Sequence, residues 1–301
     1  MSSIAYVTDE KMLEYHRLCR NRSILFWRLS SRKKFSDFRK GDLLFFFARP
    51  HRGRKKGLIG YAHFNSLKRL SLYQMWDQYG QATGYDSRQL LKEAIEKAAK
   101  GPVPKQMSCL YLTDVVFFLS PIYPDEIGLD IPNNLESYCY LDRSDPAITV
   151  NILKKAQSHG IDLWTIGTET APEIIFAKDA VRHQIAVIHK QIGREAGSEK
   201  ERGMMHKLAA LQVEKEEWEM IRGSRTDSLM IKDNTVTIAL PFASQANNRD
   251  ARIREICGRM LMYRVLIRKA GMPQNVKFEI LGTGVPESLL SVTEVLNAGE
   301  I

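Results

Sequence analysis

The sequence predicts an α+β protein of two domains, and three observations carry that prediction. Short runs rich in aromatic and β-branched residues, bounded by Gly, Pro or charge, recur through the first half and read as strands. Segments with apolar residues at three- and four-residue spacing lie between and after them and read as amphipathic helices. The 301 residues, 44% hydrophobic and 26% charged, suffice for one large core or two small ones.

Residues 23–29, 42–49, 57–65 and 109–118 are the strands of the first domain. The second and third flank residues 50–56, PHRGRKK, whose Pro50, Gly53 and charges suit an exposed hairpin connection. Residues 71–79 and 87–100 read as helices, the latter with Leu90, Leu91, Ile95 and Ala98 on one face. A helix at 146–159, with Ile148, Ile152 and Ala156 at four-residue spacing, ends at Gly160, where a left-handed cap is cheap. The domain boundary is placed there, giving residues 1–160 and 161–301.

In the second domain, residues 180–194 carry Val181, Ile185, Ile188 and Ile192 on one stripe, and residues 204–221 continue with Leu208, Leu211 and Trp218. Strands at 228–232 and 235–243 join through Asp233 and Asn234, a pair that tolerates positive φ and favours a tight hairpin. A helix at 252–270, stopped by Gly271 and Pro273, a strand at 276–281 and a helix at 287–296 finish the chain. The stripe at 181–192 needs a partner surface, either within the domain or across a two-fold axis in a homodimer.

The 44 Lys and Arg against 35 Asp and Glu give a formal charge of +9, and all of it lies in the first half. Residues 1–155 hold 25 basic and 16 acidic side chains, whereas residues 156–301 hold 19 of each. Between Arg17 and Arg69, 16 basic residues face only Asp37 and Asp42, a field that draws polyanions. Nucleic acid is the partner this predicts. Aromatic residues interleave with that charge: Phe26-Trp27-Arg28, Phe45-Phe46-Phe47, Tyr61, Trp76 and Tyr79. Flat apolar walls and cations are what a single-stranded or flipped base requires. Phe45 and Phe47, alternating along one strand, read as core; Trp27, Trp76 and Tyr79 stand as base-binding candidates. Arg32, Lys33, Lys34, Arg49, Arg52, Arg54, Lys55 and Lys56 are the candidates for phosphate, contributing affinity more than selectivity.

Spacings that carry most bond-making chemistry are missing from the sequence. There is no GxxxxGK[ST], no GxGxxG after a strand, no GxSxG, no HExxH and no HxE with PCxxC, so no catalytic, metal or cofactor residue is assigned. His183 and His189 share a helix but stand about 240° apart around it and cannot share a metal from that helix. Glu169, Glu173 and Asp179 are the acids of the enzyme alternative, a metal-dependent nuclease, although the hairpin strand TVTIALPFAS lacks Glu-x-Lys. A nucleotide sensor or interaction module is the other alternative. Four cysteines without a CxxC pair argue against structural zinc and a disulfide framework. No apolar stretch approaches the roughly 20 residues that span a bilayer, and the opening residues lack a signal's apolar core; the expectation is a cytoplasmic protein.

The order FWRLSSRKKFSDFRKGDLLFFFARP, GLIGYAHF, MWDQYG and LYLTDVVFF resembles the PUA-like superfamily, in particular its EVE and ASCH branches. The matching marks are the turn Gly41-Asp42, the strand glycine Gly60, the helix tryptophan Trp76 and the late Pro121, over about residues 5–150. The resemblance implies a pseudo-barrel with intercalated helices that binds RNA or DNA, often through a modified base held in an aromatic pocket. By that likeness Trp27, Arg28, Tyr61 and Trp76 form the pocket. It also implies company with effectors of restriction or phage defence.

Overall fold

A strand that is apolar at every position must be covered on both faces, and the run LLFFFA meets that condition. In the computed structural model, which describes residues 3–29, 35, 38–50, 55–132, 134–143, 145, 147–162, 172–243, 249–272 and 275–299, the chain divides into units Met1–Ala180 and Val181–Ile301. The first runs β1 (Ser3–Val7), α1 (Glu10–Leu18), β2 (Ile24–Arg28), β3 (Leu43–Ala48), β4 (Gly57–Leu70), α2 (Leu72–Tyr79), α3 (Arg88–Ala99), β5 (Met107–Ile122), β6 (Tyr138–Tyr140), α4 (Ala147–His159) and the start of α5 (Pro172–Ile192). Its six strands form one sheet in the order β2-β5-β4-β3-β1-β6, with β1 parallel to β3 and the other pairs antiparallel.

The sheet is strongly curled. Strands β1 and β2 are four positions apart in it, about 19 Å if flat at the usual inter-strand spacing, yet the rings of Tyr6 and Phe26 meet edge to face at 4.7 Å. Curling on this scale makes a pseudo-barrel. Inside lie Ile4, Ile24, Phe26, Leu44, Phe46, Ala62, Leu112 and Phe117; on the outer face Phe45, Phe47, Tyr61 and Val116 pack under Ile152, Leu153 and Ala156 of α4. A third cluster joins β2 and β5 to α2 and α3 through Leu25, Met75, Leu91, Ile95 and Cys109. The bend comes from β4 and β5, whose register shifts three times, each shift increasing local twist. Gly60 makes one of these crossings possible: a Cβ there would stand 2.3 Å from the Val116 carbonyl oxygen and 2.9 Å from Phe117 Cα.

At another shift β5 carries an extra residue beside Asp114, which takes φ +53° and turns its carboxylate toward β4. There His63 donates from Nδ1 to Asp114 and from Nε2 to Asp179 of α5, both at 2.9 Å, while the Tyr61 hydroxyl donates to the other Asp179 oxygen at 2.8 Å. Burial alone would lower the His63 pKa, but hydrogen bonds and charge from the two carboxylates outweigh it and raise it to about 9. A histidinium therefore ties α5 to the sheet. Phe176, also buried there, does the same, so the unit boundary falls within α5 at Ala180 rather than at Gly160, although Gly160 does cap α4 at φ +90°.

The second unit continues α5 and adds α6 (Glu199–Val213), β7 (Trp218–Met220), β8 (Ser228–Lys232), β9 (Thr235–Pro241), α7 (Arg249–Lys269), β10 (Asn275–Leu281) and α8 (Glu287–Ala298). Strands β7, β8 and β9 form an antiparallel meander and β10 lies parallel to β9 after the α7 crossover. Asp233 and Asn234 take φ +46° and +58°, the two positive values a tight hairpin requires. The stripe Val181, Ile185 and Ile188 is buried in this unit's own core with Met260, Tyr263 and Leu289, and Ile192 packs against it. It therefore offers no dimer contact. Trp218 is in a strand instead of a helix: Glu214, Glu216 and Glu217 crowd the end of α6, where neighbouring like charges and the helix dipole both oppose continuation. Both units are α+β, as the sequence predicts, while β1, α1 and β6 are additions to that reading.

The His63 cluster sets a pH dependence. The folded pKa of about 9 exceeds the ordinary 6.5, so the stabilisation is whole below pH 6.5 and is lost as pH rises through 9, on the order of 3 kcal/mol for roughly two and a half units. Asp114 is held below its ordinary value, first by the His63 hydrogen bond, so its share is present above about pH 4 and fades in acid. Thermal melting of the first unit should drop between pH 6.5 and 9 in the wild type, and His63→Gln should melt lower at pH 6.5 and lose that drop. An equal drop in both proteins would remove His63 as its cause.

Candidate nucleic-acid interface

Successive side chains of a strand point to opposite faces, and on β2 this separates Trp27 from Arg28. Leu25 and Trp27 turn outward to α2 and α3; Ile24, Phe26 and Arg28 turn to the barrel interior. At that inner end Arg28 sits with its guanidinium carbon 4.8 Å from the Phe35 ring centroid. Phe35 in turn meets Tyr138 at 4.7 Å and Phe38 at 5.2 Å, Phe38 meets Phe64 at 4.8 Å, and Tyr138 stacks on Tyr6 at 5.9 Å. Tyr140 stands edge-on to Tyr138, with the Arg143 guanidinium 3.8 Å over its ring. The Tyr138 hydroxyl is held above its ordinary pKa by burial and then by Tyr140, while Arg28 and Arg143 pull it down; both guanidinium groups thus bear on this one ring.

Arg28 Nε and Nη2 are buried and have no hydrogen-bond partner among the described residues. An unsatisfied buried donor costs about 1–3 kcal/mol, more when charged, so this arrangement is unfavourable in the free protein and complementary to an acceptor-bearing ligand. Two adjacent guanidinium N–H groups match two acceptors on one planar edge. Surrounding rings supply faces for a flat heterocycle.

The sequence-predicted base-binding residues are divided among three places. Trp27, Trp76 and Tyr79 come together on the outer face beside Tyr111, packed against the third cluster; Lys68 donates to the Tyr79 hydroxyl and lies 5.2 Å and 5.8 Å from the Tyr79 and Tyr111 rings. Trp27 Nε1 is buried there without a partner among the described residues. Arg28 lies on the opposite face. Tyr61 is fully buried among Phe45, Phe118 and Phe176 and is a core residue instead of a pocket wall, because its ring belongs to the face that α4 and α5 cover.

Of the phosphate candidates, Arg32, Lys33, Lys34, Arg52 and Arg54 lie outside the described residues. Arg49 is exposed. Lys55 pairs with Asp125 at 3.1 Å, both about two-thirds exposed, a contact weak enough to be exchanged for phosphate. Lys56 is corrected: its ammonium donates to the Leu135 carbonyl at 2.7 Å and lies 5.9 Å from the Phe47 ring, so it anchors the hairpin base. Phe35, Phe38, Phe64, Tyr6, Tyr138, Tyr140 and Arg143 were missed. A sequence signal existed in Tyr138-Cys139-Tyr140, an aromatic pair at strand spacing.

For the nuclease alternative, Glu169 lies outside the described residues, Glu173 is exposed and Asp179 is held by His63 and Tyr61. Among the described residues the group with metal-ligand spacing is His189, Glu195 and Asp227, whose ligand atoms lie within 4.8 Å of one another. A cation is already supplied there. Arg259 Nη2 donates to Asp227 at 2.6 Å and the Tyr263 hydroxyl donates to the same oxygen at 2.9 Å. Burial alone would raise the Asp227 carboxyl, but His189 and Arg259 hold it below its ordinary range. Among the described residues no helix is long and apolar enough to cross a membrane.

The two faces of β2 make different predictions under substitution. Trp27→Ala and Trp76→Ala should each lower the melting temperature, toward the lower end of the roughly 3–5 kcal/mol for a buried tryptophan, because both rings are only partly covered. A variant that melts normally and has lost nucleic-acid affinity would return that tryptophan to the binding surface.

No protein family matches this sequence, and no curated protein does. Among solved structures, the crystal structure of ASCH from Zymomonas mobilis is similar at 15% identity over 50% of this chain and 94% of that one, with a TM-score of 0.36. Two mutant forms of it match at 15% and 13% identity over 51% and 52% of this chain, each with a TM-score of 0.36. A likeness of that depth transfers neither residues nor activity to this chain.

Proposed function

We propose that this protein binds nucleic acid and holds one unstacked base at the inner end of the first unit, beside the rings of Phe35 and Tyr138 and against Arg28. The observation that carries the proposal is the pair of buried Arg28 N–H groups without a partner among the described residues. Buried donors in native proteins are nearly always satisfied, and an unsatisfied pair beside aromatic faces identifies the ligand by what it lacks: two adjacent acceptors on a flat ring. The O6 and N7 edge of guanine has that pattern. The surplus of basic residues in the first half supports a polyanion around the base, with Arg49 and Lys55 placed to meet phosphate. The order of strands and of the marks Gly41-Asp42, Gly60 and Trp76 supports reading the first unit as PUA-like. Specificity resides at Arg28 and sequence-independent affinity in the basic surface.

Arg28→Met tests this with opposite signs in one variant. It removes the unpaired donors, so the free protein should melt no lower and gain up to about 1–3 kcal/mol. Affinity for single-stranded oligonucleotides containing guanine, measured by fluorescence anisotropy, should fall roughly 5- to 150-fold, the span of a lost bidentate contact. Adenine-only strands should be bound weakly by both proteins. Parallel RNA and DNA series identify the preferred sugar. Unchanged affinity in Arg28→Met would reject the site.

A further inference from the structure

Large apolar side chains exposed singly are ordinary on a protein surface, but in the second unit they gather on two neighbouring helices. On α7 Leu261, Met262 and Val265 are 45%, 43% and 54% exposed, and on α8 Leu290, Val292 and Val295 are 44%, 38% and 37% exposed. The helices lie side by side: the Thr293 hydroxyl donates to Met260 Sδ at 3.8 Å and Arg264 donates to the Leu296 carbonyl. Along α7 the residues 254, 258, 261, 265 and 268 recur at spacings of four, three, four and three, which keeps them on one face. Gly258, in the middle of that face, has open space where a Cβ would stand, so a second helix can approach closely.

The charges on the two helices differ in sign. The α7 stripe is bounded by exposed Arg254, Arg268 and Lys269, while α8 carries exposed Glu287 and Glu294 and no Lys or Arg. Facing α7 with a second α7 would bring like charges together. On α8 Glu287, Leu290 and Glu294 share one face at spacings of three and four, so facing α7 with the α8 of another copy sets Leu290 against the apolar residues of α7 with its two acids toward a basic helix, and a two-fold axis repeats that contact, as an isologous interface requires. We infer that the α7–α8 face is the contact of a homodimer in which α7 of each copy packs on α8 of the other. The inference is independent of the base site.

Sedimentation equilibrium on the full chain tests it. The wild type should be dimeric at micromolar concentration, and Leu261→Lys with Val265→Glu should be monomeric with an unchanged circular dichroism spectrum and melting onset. Reversing the acids (Glu287→Lys, Glu294→Lys) or the bases (Arg254→Glu, Arg268→Glu, Lys269→Glu) should each weaken self-association about tenfold or more, and an equimolar mixture of the two reversed proteins should restore it through heterodimers. A wild type that stays monomeric overturns the proposal and assigns the face to a different partner. A dimer that survives Leu261→Lys with Val265→Glu, or reversed proteins that fail to pair, overturns it as well.

Discussion

The closing of the six-stranded sheet depends on the long β4–β5 pairing, because the first unit has an interior only if those two strands bend. Three register shifts supply the bend, and one crossing is so tight that Gly60 cannot carry a side chain. Each extra residue is also a device for aiming. The one at Asp114 turns a carboxylate onto His63, and the curl as a whole brings Tyr6 of one strand to Phe26 of another four positions away. The inner aromatic group is thus a product of sheet curvature, assembled from β1, β2, β4, β6 and the segment before β3.

Buried charge gives the molecule its second ordering principle. A charge removed from water persists where partners meet it, and among the described residues His63, Arg252 and Arg259 each face carboxylates. His63 has two carboxylates, and Arg259 has Asp227 and the Gly193 carbonyl. In each case the cluster ties a helix to its own unit. Arg28 has no carboxylate among the described residues, and two of its N–H groups are unsatisfied there. It is surrounded by rings, whose faces attract a guanidinium weakly compared with the acceptors it lacks, and it occupies the end of a strand where a ligand can complete the set.

Charge is unevenly distributed along the chain. Residues 1–155 hold the surplus of basic residues, whereas residues 156–301 balance 19 against 19 and place opposite charges on the adjacent helices α7 and α8.

Local chemistry determined much of this in the sequence itself. Strand alternation identified Phe45 and Phe47 as core, Asp233-Asn234 identified a hairpin and Gly160 identified a helix end; each depends only on neighbours in the chain. The α+β class followed from them. The tertiary structure decided the rest. Tyr61 and Arg28 were grouped with Trp27 and Trp76 because the sequence shows residue types and spacing, while the face each occupies depends on bulges and on which helices cover it. The short strands β1 and β6 were invisible because their stability comes from pairing with β3 and with each other across most of the unit. Phe35, Tyr138 and Arg28 meet for the same reason: sheet curvature sums many small twists over residues distant in sequence, and no local pattern records that sum.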